Sequence, residues 1–342
     1  MTALGLFLAA TVQARSASIY WSNTQGGDIR RANLDGTEQK VLVSGLATPI
    51  GPTLDLARGH MYWGSISGRD LRRANLDGTG PKTLITGMGG GGPALDLAGG
   101  LIYGSDAVAG NIWRANLDGS GPQVLVTGLN YPHSPVLDLV GAKIYWAELG
   151  AGNIWRANLD GTGATVLVPG LARPSLMTLD IAGGKMYWAN QGSGDIRRAN
   201  LDGSGQEILV RNQNTPAGVA VDLSGGHIYW SNLGSGDIRR ANLDGTGQQT
   251  LITGLNRPSF LTLDLSPLRT PDIQTVTKSD SAFTLNWSAL MGRAYQVQFN
   301  SDLGQTNWGN LVLRLTATNT TMTTFDSVTS SPQRFYRVVL LP

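Results

Sequence analysis

One segment of about 42 residues occurs six times in the first 265 residues, and this periodicity constrains the fold more than any other feature. Three markers keep the same spacing: the Asp of an Asn-Leu-Asp-Gly turn, a Tyr that usually precedes Trp, and the Asp of a Leu-Asp-Leu-like segment. They recur at Asp35, Asp77, Asp118, Asp160, Asp202 and Asp244; at Tyr20, Tyr62, Tyr103, Tyr145, Tyr187 and Tyr229; and at Asp55, Asp96, Asp138, Asp180, Asp222 and Asp264. Three markers in register over six copies indicate a tandem repeat.

Each repeat contains four short apolar runs, which we name strands A to D. Examples are residues 258–265 for A, 143–146 for B, 153–159 for C and 165–168 for D. The runs are rich in β-branched and aromatic residues and are bounded by Gly, Asn, Asp or Pro, which is typical of strands. The Asp-Gly pair after strand C favours a hairpin turn. A period of about 40–45 residues with four strands is the signature of a propeller blade, so we predict an all-β, six-bladed β-propeller over residues 18–266.

The two ends of the repeat region are complementary. The first copy begins at strand B, Ile19–Trp21, whereas an additional strand A, Phe260–Leu265, follows the sixth copy. We expect these segments to pair and close the ring, which removes exposed sheet edges. Tyr and Trp are adjacent in strand B, so each blade should direct one ring towards each neighbour. The third copy has Gly104 in place of Trp, and we predict that Trp113 fills the vacated space.

The Tyr-Trp pair, the Ile-x-Arg-x-x-Leu-Asp-Gly segment and the Pro…Leu-Asp segment together resemble the low-density-lipoprotein-receptor class B repeat, the YWTD family of six-bladed propellers. The fourth residue of that motif is Asp only at Asp106. The chain also has no cysteine, unlike animal receptors of this family, whose propellers are flanked by Cys-rich modules. The resemblance therefore implies a bacterial extracellular relative that binds a protein or glycan ligand.

The chain outside the repeats is predicted to form three further segments. Residues 1–17 contain an apolar run, Ala3–Val12, and resemble a truncated signal peptide, which predicts a secreted or cell-surface protein. Residues 267–271 form a linker between two prolines. Residues 272–342 contain five or six alternating runs and resemble a fibronectin type III-like β-sandwich, through Leu-x-Trp at Leu285–Trp287 and Tyr-x-Val at Tyr295–Val297.

Composition narrows the range of partners. There are 26 basic and 24 acidic side chains with no obvious basic stripe, so we expect no nucleic-acid partner. The absence of cysteine excludes disulfides, thiolate nucleophiles and Cys-ligated zinc. No apolar run approaches the roughly 20 residues that span a bilayer, so no transmembrane segment is expected. We also expect a monomer without a cofactor or metal site.

Candidate binding residues lie in the loops where the repeats differ. In a propeller, strand A lines the central channel, and the D-to-A and B-to-C loops lie on one face. These loops vary between copies, and binding residues often lie in loops on a rigid scaffold. The candidate ligand-binding residues on this face are Asn23, Gln25, Asp106, Tyr131, His133, Glu148, Arg173, Asn190, Asn232 and Arg257.

Residues that recur in every copy are predicted to be structural. We expect each repeated Asp to accept backbone N–H bonds within its own turn. The repeated arginines, Arg31, Arg73, Arg114, Arg156, Arg198 and Arg240, are expected to pair with a repeated Asp. No catalytic triad, zinc motif or phosphate loop is present. The favoured function is a non-enzymatic recognition scaffold; the alternatives are a lactonase, lyase or glycan-active hydrolase at the channel mouth, and a structural cell-surface component.

Overall fold

The computed structural model describes residues 17–265 continuously, and residues 271, 273–279, 282–289, 294–302, 304–305, 307–312, 314–319, 321–327 and 334–341 beyond them. Apart from Ala17 and Pro271, the predicted signal peptide and linker lie outside the described residues. Ser18–Leu265 forms one compact unit, and the chain after Leu265 belongs to a second. Within the described residues there is no helix long and apolar enough to cross a membrane.

Ser18–Leu265 is built from 24 strands in six antiparallel sheets of four. The strands are β1 (Ser18–Asn23), β2 (Asp28–Asn33), β3 (Lys40–Val43), β4 (Pro49–Asp55), β5 (His60–Ser65), β6 (Asp70–Asn75), β7 (Lys82–Thr86), β8 (Ala94–Asp96), β9 (Leu101–Asp106), β10 (Asn111–Asn116), β11 (Gln123–Val126), β12 (Pro132–Asp138), β13 (Lys143–Glu148), β14 (Asn153–Asn158), β15 (Thr165–Val168), β16 (Pro174–Asp180), β17 (Lys185–Asn190), β18 (Asp195–Asn200), β19 (Glu207–Val210), β20 (Pro216–Asp222), β21 (His227–Asn232), β22 (Asp237–Asn242), β23 (Gln249–Ile252) and β24 (Pro258–Asp264). Each sheet has the order A-B-C-D.

The first sheet is completed by the last strand of this unit. Its order is β24-β1-β2-β3, and Ile19 lies opposite Leu263 and Trp21 opposite Leu261. The predicted pairing of Phe260–Leu265 with Ile19–Trp21 is therefore present. We number the sheets from one to six in chain order and call their A strands (β24, β4, β8, β12, β16 and β20) the inner strands. Each inner strand lies beside those of the preceding and following sheets, and β24 lies beside both β20 and β4.

Tyrosine and tryptophan side chains form the core between neighbouring sheets. Trp230 of the sixth sheet packs in one cluster with Tyr187 of the fifth, and Trp21 of the first sheet packs with Tyr229 of the sixth. Each ring removes roughly 150–250 Å² from water, so these contacts contribute strongly to the spacing between sheets. In the third sheet the ring is supplied from the next strand: Trp113 is 1% exposed, and a Cβ at Gly104 would lie 2.2 Å from its ring. The prediction for Trp113 is confirmed.

The described residues of the second unit form two small sheets around one core. Its strands are β25 (Ile273–Lys278), β26 (Phe283–Ser288), β27 (Ala294–Asn300), β28 (Gly309–Asn310), β29 (Leu315–Thr316), β30 (Thr321–Asp326) and β31 (Phe335–Leu340). The first sheet has the order β25-β26-β30, and in the second β27 pairs with β28, β29 and β31. Trp287 from one sheet and Tyr295 from the other pack edge to face, with ring centroids 5.0 Å apart.

Candidate functional site

The D-to-A and B-to-C loops are joined to each other by a backbone hydrogen bond that recurs in five sheets. In each case the residue after strand B donates its N–H to the carbonyl oxygen of the residue before strand A. The pairs are Thr24 to Arg257 (3.0 Å), Ile66 to Thr48 (3.2 Å), Leu149 to Tyr131 (3.1 Å), Gln191 to Arg173 (3.0 Å) and Leu233 to Thr215 (2.9 Å). The repeated bond fixes the backbone of both loops, so differences between the sheets at these positions are differences of side chain.

These loops surround a cavity of about 480 Å³. Its wall is formed by Thr24, Thr48, Ile50, Ile66, Asn130, Tyr131, His133, Leu149, Gly150, Arg173, Gln191, Leu233, Arg257 and Ser259. All sheets except the third contribute. The volume falls within the range of about 300–1,000 Å³ typical of ligand clefts, and the wall mixes apolar, amide and basic side chains, as such clefts do.

The structure brings four of the ten predicted binding residues together in the cavity wall: Tyr131, His133, Arg173 and Arg257. Gln25 is exposed but lies outside the wall. The other five end strand B, are at most 4% exposed, and also lie outside the wall; they are Asn23, Asp106, Glu148, Asn190 and Asn232.

Four of these strand-B ends have a hydrogen-bond partner in strand C or in the adjoining loops. Asn23 and Asn232 donate to Asp28 and Asp237, each at 2.7 Å. The Asp106 carboxylate accepts the N–H groups of the next turn and pairs with Arg69 at 2.6 Å.

Glu148 holds the loop of the fourth sheet in the same way. Its carboxylate accepts the Asn130 backbone N–H at 2.6 Å and the Trp155 indole N–H at 2.7 Å, and Asn153 donates to it at 3.2 Å. Both of its oxygens are therefore engaged by loop and strand groups. The geometry gives Glu148 a role in shaping the cavity wall from behind.

The sequence interpretation missed the residue that follows strand B, which lines the cavity in five of the six sheets. Thr24, Leu149, Gln191 and Leu233 line the cavity, and Ile66 does so in the second sheet. Successive side chains in an extended segment point to opposite sides, so a shift of one residue exchanges a buried anchor for a wall residue. The available signal was variation: these positions hold Thr, Ile, Leu, Gln and Leu, whereas three of the strand ends are Asn.

His133 is uncharged at neutral pH in this site. Burial, and secondarily the positive charge of Arg173, lower the pKa of His133 from 6.5 to about 4. Its Nδ1 atom is buried and has no hydrogen-bond partner among the described residues. The ring lies against Tyr131, with centroids 5.7 Å apart and planes tilted by 37°. The pair forms an aromatic side of a cavity that contains two guanidinium groups.

Those two guanidinium groups, of Arg173 and Arg257, have no ion-pair partner within the described residues. Of the described side chains in the cavity wall, none is an aspartate or a glutamate. Other charged groups on this face are paired, as in Arg69–Asp106 and Arg197–Asp195. In the cavity wall, by contrast, the positive charge of the two arginines is not compensated by any described acidic side chain of the wall.

The ion pairs of strand C differ from those predicted. The arginine preceding the repeated one bonds to the Asp that begins its own strand: Arg30 to Asp28, Arg72 to Asp70, Arg197 to Asp195 and Arg239 to Asp237. Among the repeated arginines, Arg198 instead pairs with Glu207 at 2.7 Å. The prediction of a direct ion pair with a repeated Asp was wrong for Arg198. Yet the charges of Arg114, Arg156, Arg198 and Arg240 do lower the pKa of the turn Asp in the following sheet, as a minor cause.

The repeated aspartates close turns, as predicted. The Asn-Leu-Asp-Gly carboxylate accepts the backbone N–H and hydroxyl of the Ser or Thr two residues later; for Asp244 and Thr246 the distances are 2.9 and 2.6 Å. The Leu-Asp-Leu carboxylate accepts an N–H three residues on, as in Gly183 to Asp180 at 2.7 Å. Within the described residues, no three His, Asp or Glu side chains are grouped as metal ligands would be.

Comparison with solved structures identifies the fold. One chain in the crystal structure of a nidogen/laminin complex is 26% identical, superimposes with a TM-score of 0.66, and is matched over its whole length by 74% of this chain. TolB from Acinetobacter baumannii is 13% identical with a TM-score of 0.60, over 72% of this chain and 66% of its own. No protein-family model and no curated protein sequence matches. The fold of Ser18–Leu265 is a β-propeller.

Proposed function

We propose that this propeller is a recognition module that binds a segment of a partner protein in the cavity between its loops. The observation that supports the proposal is that the loop backbone is the same from sheet to sheet, while the side chains of the cavity wall differ. The same loop-to-loop hydrogen bond recurs in five sheets, while the side chains at those positions range from Thr and Leu to Tyr and Arg. Repeats that keep the backbone and vary the side chains at one site are suited to selective binding.

The similarity to a chain in a nidogen/laminin complex supports a protein as the ligand class, because that structure contains a complex of proteins. The buried strand-B acids support binding rather than acid–base catalysis. Glu148 and Asp106 lie outside the cavity wall, and their oxygens accept hydrogen bonds from loop N–H groups, from Trp155 and from Arg69, so neither carboxylate is placed to exchange a proton with a ligand in the cavity. If the protein is a binding module, Glu148→Gln and Asp106→Asn should weaken ligand binding. If it is an enzyme, they should abolish turnover.

The proposal extends to the architecture. We propose that the six sheets are the blades of one closed ring of the YWTD class, supported by the β24–β1 pairing and by β24 lying between β20 and β4. The second unit, with two sheets around Trp287, is proposed to be a fibronectin type III-like module. We further propose a monomer at the cell surface or secreted; loss of surface attachment on deleting residues 271–342 would favour a structural role instead.

The test uses a random peptide library displayed on phage and selected on the full chain. Peptides that bind in the cavity should lose at least tenfold in affinity to the Gln191→Trp variant, because the indole would occupy cavity volume. Gln25→Trp is the matched control, since Gln25 lies in the corresponding loop of the first sheet and outside the cavity wall. Failure to select any peptide, or equal binding to both variants, overturns the proposal.

A further inference from the structure

The residue before the inner strand has a left-handed backbone in five sheets, and a proline follows it each time. These residues, which we call the rim residues, are Thr48, Tyr131, Arg173, Thr215 and Arg257, with φ between 48° and 59°. L-residues disfavour this region, and a following proline disfavours helical φ and ψ further. Five recurrences of an unfavourable conformation at one position of the repeat need an explanation.

Glycine meets the same need elsewhere in this chain. All six Asn-Leu-Asp-Gly turns place glycine at φ between 85° and 91°. Glycine adopts such angles without steric cost. The backbone role of a rim residue is to offer its carbonyl to the next loop, as Arg173 does to Gln191, and glycine would offer the same carbonyl. The conformation and hydrogen bond of the backbone therefore do not explain why these positions hold residues other than glycine.

Most of the rim side chains lie at the cavity. Four of the five rim residues, all except Thr215, line the cavity. Two of them are Arg173 and Arg257, the guanidinium groups without an ion-pair partner among the described residues. At these two positions a strained backbone carries a cationic side chain that lines the cavity and has no acidic partner among the described residues. These are the features expected of an anion-binding site.

We propose that the four rim residues that line the cavity are its specificity-determining positions, and that Arg173 and Arg257 bind side-chain carboxylates of an acidic segment in the partner protein. Guanidinium groups match the planar geometry of a carboxylate and bond it in pairs. Tyr131 and the neutral His133 provide an adjoining aromatic surface. This inference rests on the proposed function, because it assigns the chemistry of the ligand for the same cavity.

Glycine substitution at the rim separates recognition from folding. In Arg173→Gly/Arg257→Gly the left-handed backbone is retained and only the side chains are removed. We expect an unchanged or higher Tm for the full chain. Thr215→Gly is the matched control: it has the same φ and the same following proline but does not line the cavity. If the double glycine variant lowers Tm, Arg173→Gln/Arg257→Gln, which keeps side-chain bulk, replaces it in the binding assay.

The probes are the phage-selected peptides of the test above, measured as synthetic peptides at low and high NaCl. Peptides selected on the wild-type chain should be enriched in Asp and Glu. The double variant should bind them at least tenfold more weakly, with a smaller salt dependence, and Thr215→Gly should bind them as wild type does. The selected peptides could bind the Gln191→Trp variant weakly and yet show no enrichment in Asp and Glu, or bind the double variant as tightly as the wild type. Either result overturns this inference and leaves the proposed function standing.

Two further outcomes are decisive. Peptides insensitive to Gln191→Trp overturn the proposed function, whatever their composition. Heparin oligosaccharides are the last probe. If their binding requires both arginines and no acidic peptide is selected, the anion is supplied by a glycan, and the inference of an acidic protein segment is wrong.

Discussion

Two identical hexapeptides, Asn-Ile-Trp-Arg-Ala-Asn at residues 111–116 and 153–158, carry tryptophans in different environments. Trp113 is 1% exposed and occupies the space next to Gly104. Trp155 is only partly buried and stacks on Trp146, with centroids 5.9 Å apart and planes within 5°. Local sequence is the same in both strands, so any difference in the effect of mutation must come from the neighbouring strands and sheets.

The structure gives an expected magnitude for each truncation. Trp113→Ala removes a fully buried ring that contacts both its own sheet and the second, which should lower the free energy of unfolding by about 3–5 kcal/mol. Trp155→Ala removes one aromatic stack, worth about 0.5–1.5 kcal/mol beyond its buried area, and one hydrogen bond to Glu148. Glu148 keeps its bonds from Asn130 and Asn153, so we expect a cost of about 1–2 kcal/mol for Trp155→Ala.

Guanidinium denaturation followed by far-UV circular dichroism measures both variants, and hydrogen exchange at the Tyr103 amide follows the third sheet itself. A rescue variant adds a control: Gly104→Trp with Trp113→Arg and Asn111→Asp gives the third sheet the Trp, Arg and Asp of the first, second, fifth and sixth sheets. It should recover most of the lost stability. Equal costs for the two tryptophans, or a rescue variant less stable than Trp113→Ala, would refute the reasoning.

Three other predictions follow from the turns and the close contacts. Hydrogen bonds from the Thr246 hydroxyl and N–H lower the pKa of Asp244. The stability that this carboxylate contributes is therefore present above its unfolded pKa and is lost as pH falls through the lower folded pKa, so Asp244→Asn should reduce the fall of Tm with pH below about pH 4. Asp106→Asn breaks the 2.6 Å pair with Arg69 and should cost about 1–3 kcal/mol in urea unfolding. Gly64→Ala should lower Tm through a cost of about 1–3 kcal/mol, because its Cβ would lie 2.3 Å from a carbonyl oxygen of the neighbouring sheet, although alanine occupies this position in the fourth and fifth sheets.

The period of the repeat was enough to place most strands, because each strand is short, apolar and bounded by a turn residue with a defined conformational role. The pairing of Trp21 with Leu261 follows from which strand type is missing at each end. The cavity wall was harder to predict. Asn190 and Gln191 are adjacent, yet one is buried at the strand end and the other lines the cavity; periodicity places a strand end only to within a residue or two, and one residue changes the side on which a side chain lies.

The partners of the strand-C arginines could have been read from the sequence. Four repeats begin strand C with Asp-x-Arg, and the other two begin it with Asn-x-Trp. Asp and the first arginine are therefore replaced together, which is the pattern expected of a bonded pair, as Asp195 and Arg197 are. The second arginine recurs without such coupling. The two positions differ because it lies opposite the strand-B tyrosine, as Arg198 lies opposite Tyr187, where its guanidinium packs over the ring at 5.7 Å.

The departure of the third sheet from the repeat gives the cavity its asymmetry. The stretch from the Asn-Leu-Asp-Gly turn of the second sheet to the last residue of strand A in the third is one residue shorter than in the other repeats, and the inner strand is reduced to Ala94–Asp96. The rim position there is Gly89, where a Cβ would lie 2.7 Å from the backbone of Asp70, so no side chain fits. Six equal rim side chains would give a ring-symmetric cavity that treats every approach direction alike. With one position empty and the two arginines in different loops, the cavity wall is asymmetric, and in the binding mode proposed above a partner segment would be read in a single direction.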